Sequence, residues 1–237
     1  MITDLIVTWP RNCDYPLWRQ FIRDNRTRFN EVIISFMETN QGEDYRLELT
    51  EMMRNDYVLT IQPPLIIAGE DWRNASINSA LLHSYNAPWV WFTEQDFFPK
   101  DGFWEEVQRM QDEGCNVIAV YQGDRMHPCC IFMKREILNK THKNFGIIPD
   151  IADHFSLIQK DLESIDDSII GVISPKLYTH MNGLSHNWSL LVSGQMPNHN
   201  TDQFFDYLMS CSRLNIPIPE HWWNMASAGI ERSYYKE

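Results

Sequence analysis

The chain has no long apolar run, no basic surplus and no Cys-x-x-Cys pair. No stretch approaches the roughly 20 apolar residues that a membrane-spanning helix needs. The first residues, MITDLIVTWPRN, carry no basic n-region, and their apolar stretch is too short for a secretory signal, so a cytoplasmic protein without a membrane span is expected. Lys and Arg number 20 against 32 Asp and Glu, a net charge of −12, so non-specific attraction to nucleic acid or anionic membrane is not the default. The five cysteines (Cys13, Cys115, Cys129, Cys130 and Cys211) are odd in number and include an adjacent pair. That is neither a zinc framework nor a secreted disulfide scaffold, and reduced, packing thiols are expected. The loop after the first apolar run, TWPRNCDYP, contains no glycine, which counts against a nucleotidyltransferase with a Gly-rich phosphate loop. No Gly/Ser linker, internal repeat or composition break divides the chain, so residues 1–237 are expected to form one domain.

What is present is a large apolar inventory. Apolar residues make up 43% of 237, with 9 Trp and 12 Phe, enough for a sizeable core. Strands are expected at Asp4–Thr8, Glu31–Met37, Tyr57–Ile61, Trp89–Phe92, Asn116–Tyr121, Cys130–Met133 and Ile169–Ser174. Helices are expected between them. One carries Leu17, Trp18, Phe21 and Ile22 and runs to about Arg28; a short one covers Leu47–Met53. Another carries Ile77, Leu81 and Leu82 behind Asp71, and one starts at Asp101 with Phe103, Trp104, Val107 and Met110. Further helices carry Ile151, Phe155, Ile158 and Leu162, then Phe204, Phe205, Leu208 and Met209. This alternation predicts an α/β fold: a mostly parallel central sheet with helices on both faces and right-handed crossovers.

The stretch that organises the rest is Ala87 to Phe98, APWVWFTEQDFF. Its apolar run has the length of one buried strand and stops at two carboxylates, Glu94 and Asp96. In extended chain, residues two apart point to the same side, so both acids can aim at one point past the strand end. Ligands of open α/β sheets bind at that end. Two hard oxygen ligands there suit Mg²⁺ or Mn²⁺ shared with a substrate phosphate. The plain alternative is a buried strand ending in a solvated acidic turn.

The residues Arg73 to Phe98, RNASINSALLHSYNAPWVWFTEQDFF, resemble the GT-A fold of nucleotide-sugar-dependent glycosyltransferases, with a family 2-like core. Such proteins commonly have an Arg-Asn-bearing helix, then an apolar strand ending in an Asp-x-Asp motif, here Glu94-Gln95-Asp96. The resemblance implies that Asp96 binds a divalent metal and that Glu94 contacts the metal or the donor ribose. His180 to Trp188, HMNGLSHNW, is similar to the HxxGxxKPW element of glycogenin-like retaining enzymes, which implies a metal-ligand role for His180. His186 stands where that element has Lys, and Asn187 where it has Pro. By this resemblance residues 1–125 form the nucleotide-sugar half and 126–237 the acceptor side, with Mn²⁺ or Mg²⁺ as cofactor and a UDP-sugar first among donors. Imidazole beside carboxylate suits Mn²⁺ better than Mg²⁺.

The remaining site candidates follow from the chemistry. A nucleoside diphosphate leaves readily only when its developing charge is neutralised, which a clamped metal does. Arg73 can add a bidentate phosphate contact. Trp9 and Arg11 after the first strand and Glu38 after the second are placed to hold the nucleoside, Trp9 by stacking. For an inverting reaction, the resemblance points to an acid near a helix start downstream: Asp153, with Asp150 beside it, either of which also reads as an N-cap. Lys134, Arg135, Lys140 and Lys143 form a basic run in an acidic chain. Facing the acceptor, Lys134 and Arg135 would suit a phosphate-bearing one, including a hydroxymethylated base in phage DNA; otherwise the run is a solvated helix face. A non-catalytic nucleotide- or sugar-binding protein is the alternative of another class.

Overall fold

The computed structural model describes residues 2–9, 15–36, 46–61, 72–94, 97–146 and 155–180, with scattered helical residues between 205 and 227. Strand β1 (Thr3–Trp9) leads to helix α1 (Tyr15–Asp24) and β2 (Phe29–Phe36); α2 (Arg46–Asn55), β3 (Leu59–Ile61) and α3 (Trp72–Leu81) follow. Next come β4 (Trp89–Glu94), the short β5 (Phe97–Pro99), α4 (Phe103–Asp112), β6 (Val117–Gln122) and β7 (Arg125–Lys134). The described part closes with α5 (Arg135–Leu138), α6 (Ser156–Glu163), β8 (Ile170–Val172) and β9 (Tyr178–His180). No helix among the described residues is long and apolar enough to cross a membrane.

Seven strands form one sheet in the order β3-β2-β1-β4-β7-β6-β8, and β5 pairs with β9 in a second, two-stranded sheet. The pairs β1–β2, β1–β4, β2–β3 and β6–β8 are parallel. Strand β7 runs antiparallel to both of its neighbours, β4 and β6. The large sheet is thus mostly parallel, as the alternation predicts, with one reversed strand inside it.

Helices cover both faces, which is why the strands read as near-continuous apolar runs. Along β1, Leu5 and Val7 face a layer that includes Ile22 of α1 and Phe103, Val107 and Met110 of α4. Ile6 faces the opposite layer, with Ile77 and Ala80 of α3 and Ile158 and Leu162 of α6. Trp91 anchors the first layer: it stacks on Phe132 at 4.9 Å and meets Trp104 edge-on at 5.4 Å. Truncating such a side chain typically costs about 3–5 kcal/mol.

Several boundaries differ from the sequence expectation. Helix α1 stops at Asp24 and a 3-10 turn covers Arg26–Arg28. Helix α4 begins at Phe103 rather than Asp101, because Gly102 takes a left-handed φ of 84° and breaks the turn before it. Strand β7 is ten residues long rather than confined to Cys130–Met133. Of the last expected helix, Phe205, Leu208 and Met209 are helical; Phe204 lies outside the described residues. So do Asp71 and Ile151.

Candidate active site

The sheet order places a topological switch point between β1 and β4. The chain leaves β1 toward β2 and β3 on one side, then returns to β4 on the other. At such a point adjacent loops diverge and leave a crevice outside the carboxyl ends of the strands. Thr8 of β1 is in register with Glu94 of β4, so the two strands end together. Threonines tie this edge: Thr8 Oγ1 donates to Thr93 O at 3.4 Å, and Thr93 Oγ1 donates to Cys129 O at 2.8 Å.

The short second sheet delivers a histidine to the same place. Phe97 pairs with His180 and Pro99 with Tyr178, so β9 runs back along the chain that leaves the acidic turn. Phe97 is fully buried against Trp91, Phe103 and Tyr178, which fixes this hairpin-like pairing to the core. As a result His180 Nε2 lies 3.5 Å from Glu94 Oε2, with the two side chains 16% and 14% exposed. That separation is longer than a good N–H···O hydrogen bond. It is close to the ~3.4 Å between two ligands on one tetrahedral ion with bonds of ~2.1 Å.

Two further residues reach this point. The His127 ring lies 4.7 Å from the His180 ring, at 63°. Ligand atoms of His127, Cys129 and His180 all fall within 4.8 Å of one another. The Cys129 amide donates to His127 Nδ1 at 3.1 Å, which orients the imidazole. Burial raises the Tyr178 phenol above its ordinary value, and the neighbouring Cys129 and Cys130 thiols push in the same direction. Burial also pushes the Cys130 thiol well up, so that cysteine is an inert packing group.

Sequence reasoning missed His127 and Cys129, although the signal that found Glu94 and Asp96 was present for them. His127-Pro128-Cys129 alternates within a strand, so both ligand-type residues can face one side. Its His-x-Cys spacing is not that of a Cys-x-x-Cys pair.

Trp9 ends β1 opposite Phe36, at the correct edge; its side chain is outside the described set. Arg73 sits in the first turn of α3, again with only its backbone described. Its neighbour Asn74 accepts from the Phe145 amide at 2.9 Å, and so pins the segment after α5 to α3. Arg11, Glu38, Asp96, Asp150 and Asp153 lie outside the described residues, as does the rest of the His180–Trp188 element. Asp96 is the residue before Phe97, whose backbone is registered with His180.

Lys134 and Arg135 lie at the other end of β4. Lys134 is in register with Trp89, the first residue of β4, so the basic run starts at the sheet edge opposite Glu94. Arg135 is 19% exposed and pairs at 2.8 Å with Asp4, which is fully buried. It also donates to Ala87 O, Ser84 O and Ser84 Oγ. Lys134 pairs with Glu136 at 2.8 Å, and Lys140 with Asp167. A β-strand of six residues separates the two edges by roughly 17 Å. Lys134 and Arg135 are thus paired within the fold at the end of β4 away from Glu94.

No family model matches the chain, and no curated protein does. Solved structures do. A mannosyltransferase from Pyrobaculum calidifontis, in complex with GDP-Man and Mn²⁺, superposes with a TM-score of 0.55 over 96% of this chain and 68% of that one, at 12% identity. Glucosyl-3-phosphoglycerate synthase from Mycobacterium tuberculosis, in complex with Mn²⁺, UDP-Glc and phosphoglyceric acid, superposes with a TM-score of 0.52 over 81% of this chain and 80% of that one, at 11% identity. At these identities the likeness is one of fold: the chain has the α/β architecture of GT-A-like glycosyltransferases.

Proposed function

We propose that the chain is a metal-dependent glycosyltransferase that moves a sugar from a nucleoside-diphosphate donor to a hydroxyl acceptor. The observation that carries this reading is the meeting of Glu94 and His180, 86 residues apart in sequence and 3.5 Å apart in space, at the carboxyl end of β4. Carboxylate and imidazole together fit Mn²⁺ more naturally than Mg²⁺. Asp96 completes the acidic turn and is proposed as the principal anionic ligand. When bound, the metal neutralises charge on the departing diphosphate.

The chain's own residues supply the rest. Trp9, Arg11 and Glu38, which follow β1 and β2 in sequence, are proposed as the nucleoside contacts, and Arg73 as a diphosphate contact. The donor is proposed to be a UDP-sugar; both comparison enzymes were solved with a nucleotide sugar and Mn²⁺, which supports that class of donor. If the reaction inverts configuration, Asp153 takes the proton from the acceptor hydroxyl. Residues 1–237 are proposed to act as one domain.

The test is a donor screen by thermal shift, followed by assays of donor hydrolysis and transfer. Binding to the native state raises apparent stability by about 2.7 kcal/mol at 100 times Kd. UDP or a UDP-sugar should stabilise the protein with Mn²⁺ present and lose that effect when EDTA is added. Asp96→Asn should cut transfer by orders of magnitude with little change in folding, since a few kcal/mol of charge stabilisation is at stake and each ~1.4 kcal/mol is tenfold in rate. Metal-dependent donor binding without any hydrolysis or transfer would leave a binding protein. Wild-type rates in Asp96→Asn would remove the enzyme reading.

A further inference from the structure

We propose that His127, Cys129 and His180 form a three-ligand site for a thiophilic divalent cation of the Zn²⁺ class. The inference goes beyond glycosyl transfer and stands on geometry alone. Two strands far apart in sequence, β7 and β9, bring the ligands together. Strand β7 runs antiparallel to β4, so its first half passes the carboxyl end of β4, where Thr93 pairs with Cys130. The β6–β7 pairing is interrupted between Ala119 and Tyr121, and Pro128 sits in the corresponding stretch of β7. Proline donates no ladder hydrogen bond and is found at such irregularities, which bend a strand and re-aim its side chains. Strand β9 then brings His180 over the same point through its pairing with β5.

The donor set decides the metal. Thiolate and imidazole nitrogen favour Zn²⁺ and Co²⁺ over Mg²⁺ and Mn²⁺. Ligand atoms of a tetrahedral site lie roughly 3.5 Å apart, given bonds of about 2.0–2.3 Å. The three present ones lie within 4.8 Å, so small side-chain rotations close the set. Cys129 is fully buried and both histidines are half-buried, so an ion enters from the histidine side. His127 exchanges one hydrogen bond, from the Cys129 amide, for a metal bond or a new tautomer. Because His180 serves one ion at a time, a Zn²⁺-class ion there takes the place of Mn²⁺ or excludes it.

The experiment is titration of the metal-free full chain with Co²⁺, followed by displacement with Zn²⁺. The expected spectrum has a thiolate-to-cobalt charge-transfer band and the intense visible bands of a tetrahedral ion, with bands abolished stoichiometrically by Zn²⁺. Cys129→Ser should remove the charge-transfer band. Because Cys129 lies in the core, His127→Gln is the second variant. With folding checked by circular dichroism, it should weaken Zn²⁺ binding by at least the roughly 10–100-fold that outer-shell changes already cost. A pale octahedral Co²⁺ spectrum in the wild type, or wild-type Zn²⁺ affinity in His127→Gln, overturns the proposal. Neither readout uses a sugar donor, so this site stands or falls by the cobalt spectrum, and the glycosyltransferase reading by transfer assays of the Mn²⁺-loaded protein.

Discussion

Arg135 donates four hydrogen bonds inside the protein, one of them to Asp4, and this leaves its guanidinium little to offer a ligand. Asp4 in turn accepts from Asn30 Nδ2, the Glu31 amide and Ser84 Oγ. Removing one partner of a buried pair strands the other charge and typically costs about 3–5 kcal/mol. Arg135→Ala should therefore lower unfolding free energy by roughly 3 kcal/mol in urea titrations. Metal affinity of the folded fraction should be unchanged, because the residue lies at the opposite edge. A stability change under about 1 kcal/mol would mean that the Asp4 cluster is solvated rather than buried. In sequence, a Lys-Arg pair gives no sign of which members are buried; the partner here is 131 positions away. Glu94 stands out in sequence because it closes an apolar run, and His180 because it opens a late His-x-x-Gly.

At the scale of elements, the alternation of strands and helices was readable because each buried strand is a short apolar run between turn signals. The reversed direction of β7 was not. Among its first residues, Arg125, His127 and Pro128 are polar or strand-breaking, so the continuous apolar run marks only the second half. Pairing direction is set by neighbours distant in sequence, which local pattern does not carry. The two-stranded sheet was equally hidden, since β5 and β9 are three residues each. Yet that small sheet positions His180. Phe97→Ala tests this coupling. Loss of a fully buried phenylalanine should cost about 3–5 kcal/mol. Because its backbone partner is His180, metal affinity should fall as well, even under conditions where the variant is fully folded. Unchanged Mn²⁺ and Zn²⁺ titrations in a folded, destabilised Phe97→Ala would show that His180 is held by other contacts.

The whole molecule carries a net charge of −12, and the one basic run in its middle is internally compensated at three positions. A polyanion binds by releasing counterions to unpaired Lys and Arg, and the affinity falls steeply with salt in proportion to the number of such contacts. Cations already paired with Glu136, Asp4 and Asp167 must first give up those partners, and the surrounding field repels phosphate. The crevice at the β1–β4 switch point faces away from this run, so a nucleic-acid acceptor would need a positive surface elsewhere. A labelled DNA duplex followed by fluorescence anisotropy at about 0.15 M salt should therefore show binding weaker than the roughly 10⁻⁴–10⁻⁶ M of ordinary non-specific binders. Lys134→Ala and Lys140→Ala should leave that result unaltered. Tight, salt-sensitive binding that these substitutions weaken would return the basic run to the acceptor side and reopen a phosphate-bearing substrate.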